Sequence, residues 1–315
     1  MTRVLLYWNH ICVLQKQEKL FLEGLKQRLL ADGIDLTVRF FGLGYPQHMS
    51  EYLAQPDAEL PDLIVSADLE VFEDPRIFQT ISGSLYPAAE WVALRQTAAL
   101  HAAYQNESLL PFLSIPLVYY TTTPALCQGK TICEVSPLAF GGINNSAGKT
   151  LTKAVWSQYG KEAALRLLQT ASVADMPIGA FHQVRKGSAP TALVPSLYAL
   201  QADGETSFCL IPTEGPLLVS SYFCARTTLP QPLAERLAKE ILCSELCSFY
   251  AQNGDLIVHP ACTSHPSRQE GEQYFVPQPD WYDKVTPEEF YALYCSALPT
   301  AKKPFAEVTA FQNRA

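Results

Sequence analysis

Two hydrophobic periods alternate along the chain from its first residues. Val4-Leu-Leu-Tyr-Trp8 is an apolar run of strand length, and Leu14, Phe21, Leu25 and Leu29 then recur on one helical face, with Lys and Gln residues on the other. Gly33 is placed to end that helix. Ile34, Leu36, Val38 and Phe40 alternate with Asp35, Thr37 and Arg39, the mark of a half-exposed strand. Gly42-Leu-Gly-Tyr-Pro46 reads as a turn and residues 47–53 as a short helix. Leu63-Ile-Val65 is a buried strand ended by the polar Ser66-Ala-Asp68. This β-α-β-α-β order predicts a parallel sheet with right-handed crossovers. In such sheets ligands sit beyond the carboxyl ends of the strands, which singles out Asn9, His10, Ser66 and Asp68.

Residues 88–104 have a helical pattern. Ser114-Ile-Pro-Leu-Val-Tyr-Tyr-Thr-Thr-Thr123 is then rich in strand formers. Pro116 fits a strand start or edge but not a central ladder. A similar run, residues 207–221, follows about a hundred residues later. The two read as paired crossings between two lobes, lobe one holding residues 1–115 and 218–315 and lobe two residues 116–217. Within lobe two, residues 138–150 form a small, polar loop leading to helices at 151–159 and 161–170, separated by Gly160, and residues 176–198 mix short helix and strand signals. Residues 232–250 read as one long amphipathic helix and 259–283 as an extended polar segment. Thr286-Pro-Glu-Glu289 is a capping box opening a last helix to about Ala297.

Four stretches in this order resemble the type II periplasmic-binding-protein fold, the solute-binding component of ABC transporters, especially its iron and oxyanion branches. They are residues 61–68, 116–120, 212–219, and 243–247 with 254–260. The resemblance implies an α/β fold of two lobes, each a mainly parallel sheet flanked by helices and joined by two crossover strands. It also implies a ligand-binding role, with an ABC transporter permease as a candidate partner.

Composition narrows the picture. Of 315 residues, 48% are hydrophobic, which suits two modest globular lobes. A net charge of −8 argues against nucleic acid or an anionic membrane surface as the main partner. The first apolar run is too short for a secretory signal, and no run approaches transmembrane length. Nine cysteines without a regular framework imply reduced thiols, so the chain as given reads as cytoplasmic, or as periplasmic or extracellular if a leader was removed.

Candidate chemistry is sparse. Residues 142–150 miss the P-loop spacing by one position, because Ile143 stands where the first glycine belongs. What remains is a donor-rich helix entry, Asn144, Asn145, Ser146 and Lys149, either an anion site or an ordinary cap. Tyr120 or its neighbour Tyr119 is expected on the cleft near the hinge. Iron-binding relatives use paired tyrosines from a later position in lobe two, where this chain offers Tyr198 alone. Among the histidines His10, His48, His101, His182, His259 and His265, His10 and His182 are the ligand candidates. His259, Cys262 and His265 lie close together, near Cys243 and Cys247, without a standard zinc spacing. Cys12 beside His10 is the one conceivable nucleophile pair. No G-x-S-x-G, H-E-x-x-H or Rossmann glycine pattern occurs. The reading is a solute-binding protein closing on a small anionic or metal-containing ligand, with no catalytic residue and no cofactor. The rival is a cytoplasmic enzyme on the same fold acting on a small biosynthetic metabolite.

Overall fold

The computed structural model describes residues 1–11, 14–42, 44–93, 106–257, 259–267 and 273–302. Its spine is a single curled sheet of ten strands. In the first lobe, β1 (Thr2–Asn9), β2 (Ile34–Phe41) and β3 (Leu63–Ser66) run parallel in the order β2-β1-β3. Helices α1 (Gln15–Ala31) and α2 (Met49–Leu53) make the crossovers, and α3 (Glu70–Glu73) and α4 (Pro75–Ser82) follow β3. β1 is covered on both faces, Val4, Leu6 and Trp8 on one side and Tyr7 on the other, which is why it reads as a continuous apolar run. Gly33 closes α1 with a φ of +77°.

The crossing strand β4 (Leu110–Thr121) is long enough to serve both lobes. Beyond it lie β5 (Ala139–Gly141), α5 (Ser146–Tyr159), α6 (Lys161–Thr170), β6 (Ser172–Ala174), α7 (Pro177–Arg185), β7 (Thr191–Pro195) and α8 (Ser196–Ala199). β6, β5 and β7 are parallel, and β7 lies antiparallel against residues 117–121 of β4, where β8 (Phe208–Leu210) also pairs. The second crossing, β9 (Leu217–Ala225), returns the chain. It pairs antiparallel with β4 along 217–223 and with β3 along 222–225. Helices α9 (Gln231–Ile241) and α10 (Ser244–Gln252) then lead to β10 (Leu256–Ile257), α11 (Pro279–Lys284) and α12 (Pro287–Ala297).

Several expectations need correction. Pro116 lies inside a central strand, opposite Leu218. It is tolerated because β10 pairs with residues 113–114 and β7 with 117–121, so Pro116 falls where β4 changes partners. The long helix expected over 232–250 is two, broken at Leu242 and Cys243. Residues 88–93 are turn and bend rather than helix; 94–104 lie outside the described residues, as do Cys12 and His101. The helix after Gly142 begins at Ser146, five residues before the expected 151.

The C-terminal segment, expected with lobe one, packs on both lobes. Trp281 meets Trp156 of α5 edge-on, and the Tyr294 hydroxyl donates to the carbonyl of Ile143. On the other lobe Tyr282 donates to Glu73, and Arg76 pairs with Glu288. The capping box of Thr286 and Glu289 opens α12 as the sequence indicates. One buried cluster therefore runs through Tyr7 and Ile64 of lobe one, Phe140 and Leu193 of lobe two, and Phe290 of α12. Among the described residues no cysteine is joined to another in a disulfide. Thiol titration of denatured, unreduced protein is expected to find all nine of the sequence; four disulfides would contradict this.

Candidate functional site

The parallel strands of both lobes end at one cleft of about 250 Å3, near the lower end of small-molecule sites. Its floor is the pair of crossing strands, through Ile115, Leu117 and Val219. From lobe one come Asn9, His10 and Ile11 after β1, Gly42, Gly44, Tyr45 and His48 after β2, and Ala67 and Asp68 after β3. From lobe two come Asn145, Ser146 and Ala147 after β5, Met176 and Pro177 after β6, and Pro195, Leu197 and Tyr198 at the end of β7. The strand-end rule holds for all six parallel strands. Applied to β2, β6 and β7 as it was to β1 and β3, it would have found Tyr45, His48, Met176 and Tyr198 from the sequence.

Asn9, His10, Asp68, Asn145 and Ser146 thus share one cleft. Asp68 is almost wholly buried; its Oδ2 accepts the N–H of Ser50 at 2.9 Å, which holds the carboxylate in place. Asn145 caps α5 by accepting the N–H of Ala147 at 3.0 Å. Gly142 permits this. Its φ is +92°, and a Cβ there would stand 2.0 Å from Asn145 Oδ1. The near-P-loop spacing is therefore a tight turn feeding a cap. The Gly142 carbonyl accepts the N–H groups of Asn145 and Gly148, so the amides at this helix entry are largely engaged.

The other expected residues turn elsewhere. Ser66 is fully buried and accepts the Asp68 N–H at 2.9 Å, shaping the turn rather than facing the cleft. Asn144 accepts the Lys302 N–H at 2.7 Å. Lys149 is buried and lies 3.8 Å from Glu70, so it does not bring positive charge to the cleft. Of the hinge tyrosines, Tyr119 continues the face of Ile115 and Leu117 but is covered completely, and Tyr120 on the opposite face packs on Phe181 at 4.7 Å. His182 sits exposed on α7, which runs away from the cleft after presenting Met176 and Pro177. His259 and His265 are engaged within their own loop, and the Cys262 thiol meets Ser248 and Ser244. Among the described residues no group of three His, Cys, Asp or Glu side chains is placed to hold a metal ion.

Behind the cleft the lobes are joined by buried charge. Lys153 of α5 donates to Glu70 at 2.9 Å and to Glu73 at 2.6 Å. Tyr291 donates to Glu70, and burial together with that charge pushes its phenol well up, so it remains a donor. Burial alone would raise the Glu70 carboxyl, but Lys149 and Lys153 override it and hold it at about 2. Glu73 is raised by burial; Lys153 opposes that rise and the charge of Glu70 adds to it. Next to this network Ser146 Oγ accepts the Leu69 N–H across the lobes at 3.0 Å. Replacing Ser146 and Lys149 by alanine therefore removes links between the lobes.

Neither a family model nor a curated protein matches the chain. Solved structures do. The ferric binding protein from Campylobacter jejuni superposes with a TM-score of 0.70 at 10% identity, over 93% of this chain and 99% of that one. A periplasmic thiamin binding protein gives 0.63 at 13% identity, over 94% and 96%. AfuA from Actinobacillus pleuropneumoniae, with fructose-6-phosphate bound, gives 0.61 at 10% identity, over 95% and 98%. The fold is that of the two-lobe, type II periplasmic binding proteins.

Proposed function

We propose that this protein is a solute-binding protein that closes its lobes about β4 and β9 on a small organic solute. One observation carries the reading: the ends of all six parallel strands, three from each lobe, meet in a single cleft floored by both crossing strands. The fold likeness supports it, since the similar structures include proteins named for ferric iron and thiamin and one with fructose-6-phosphate bound. An ABC transporter permease as partner belongs to the same reading.

The lining defines the solute. Its walls are mostly apolar, and among the described residues that line it the formal charge is the Asp68 carboxylate, with no Lys or Arg. The expectation of an anion drew on the helix entry and on Lys149; the entry amides are largely engaged, and Lys149 lies against Glu70. We therefore read the solute as neutral or cationic, with an apolar body. Native mass spectrometry of gently purified protein, with thermal-shift assays against fractionated metabolite extracts, is expected to reveal such a compound. If no fraction shifts the protein and no small molecule travels with it, the binding role fails. The alternative enzyme has one observation in its favour, the buried contact of His10 with Glu18. Conversion of the bound compound on incubation would decide for it.

A further inference from the structure

Three cysteines, Cys243, Cys247 and Cys262, come together in lobe one. Cys243 is the N-cap residue of α10, and Cys247 lies on that helix, its N–H donating to the Cys243 carbonyl at 3.1 Å. Cys262 arrives from the loop after β10. Its Sγ lies 3.3 Å from Ser248 Oγ and donates to the Ser244 carbonyl at 3.6 Å. Ser244, Cys247 and Ser248 are three and four residues apart and share one face of α10, so Cys262 is seated on the turn that carries Cys247. The two side chains belong to one buried apolar cluster, at 1% and 3% exposure. Burial pushes the Cys247 thiol up to about 12, and Cys262 adds to the rise through its charge and a side-chain hydrogen bond. Cys247 is therefore a protonated thiol at neutral pH with a second sulfur beside it, and no disulfide joins them.

We propose that Cys247 and Cys262 are an oxidative modification site, a dithiol that hydrogen peroxide closes to a disulfide between α10 and the loop after β10. The loop gives access. Pro260, Ala261, Thr263 and Pro266 around Cys262 are exposed, so a local opening of this segment brings its sulfur to solvent. Cys262 reacts first: its sulfur attacks a peroxide oxygen and becomes a sulfenic acid, and one water is released. Cys247 then attacks that sulfur. The S–S bond forms, and the sulfenic oxygen leaves with the Cys247 proton as a second water. Two thiols are oxidised and one peroxide is reduced. The ring so closed contains β10, whose Leu256 and Ile257 pair with Ser114 and Leu113 of the crossing strand β4. Oxidation thus ties the segment that borders the crossing strand to α10.

Fully reduced protein, treated with a stoichiometric amount of hydrogen peroxide and then alkylated, is the test. Chymotrypsin separates the two cysteines at Phe249 and Tyr250, and mass spectrometry of the digest is expected to show a linked pair of peptides holding Cys247 and Cys262. Cys243 is expected to be alkylated, and dithiothreitol to release the pair. The bond closes a loop of about 15 residues, so the thermal midpoint is expected to rise by roughly 3–6 °C on oxidation and to return on reduction. Cys262→Ser is expected to lose both the link and the rise, and Cys243→Ser to keep both. Should Cys262→Ser not fold, the peptide map of the wild-type protein decides alone. Cys247 and Cys262 both alkylated after oxidation, a disulfide made through Cys243 instead, or a midpoint that falls when the link forms overturns the proposal.

Discussion

Lys153→Met is expected to destabilise the protein by about 3–5 kcal/mol, read as a lowered midpoint in urea unfolding. The side chain is buried between Glu70 and Glu73, and its removal leaves two buried acidic side chains, with Lys149 3.8 Å from Glu70. A loss within about 1 kcal/mol of the wild type would mean that water reaches the cluster. The two carboxyls also carry opposite pH signatures. Glu70 is held at about 2 against an ordinary value of 4.5, so it contributes stability above 4.5 that is lost as pH falls toward 2. Glu73 is raised, so it contributes stability below 4.5 that is lost as pH rises through its folded value. Glu70→Gln should therefore be less stable at neutral pH and show a flatter acid limb between 4.5 and 2. Glu73→Gln should be the milder change, since burial raises the Glu73 carboxyl whereas the lysines hold Glu70 low.

Asp68→Asn is expected to weaken a cationic solute by about 1.5–3 kcal/mol, roughly 10- to 100-fold, with little effect on an uncharged one of the same shape. Asparagine keeps an oxygen for the Ser50 N–H, so the loop after β3 should hold its shape and thermal unfolding should move little. Calorimetry with the co-purified solute, or with benzamidine, measures the loss. Equal affinity for both proteins would place the solute's charge away from Asp68.

Both variants depend on the same arrangement. β3 delivers Asp68 to the cleft, and Glu70, two residues on at the start of α3, to the joint between the lobes. Beside Asp68, the Leu69 N–H donates to Ser146 Oγ of the other lobe.

The order of elements, the parallel opening lobe and the two crossings were legible in the sequence because each rests on local periodicity and turn chemistry. Asn9, His10 and Asp68 were legible because polar residues after a buried parallel strand have one place to go. Asn145 and Ser146 were legible as a helix entry. What neighbours do was not legible. Lys149 reads as a cleft cation until α3 places Glu70 against it. Glu18 sits among the Lys and Gln residues of α1, and only the packing of α10 turns it inward, to be met by Tyr250 from 232 residues along the chain. Tyr119 was lost to the core through a strand pairing set by β7 and β8. The C-terminal helix carries its own start signal in Thr286 and Glu289, but nothing local says that it binds both lobes. Local sequence sets elements and their ends through short-range sterics and hydrogen bonds. Which buried charge meets which depends on contacts between distant segments, and those form only when the whole chain has packed.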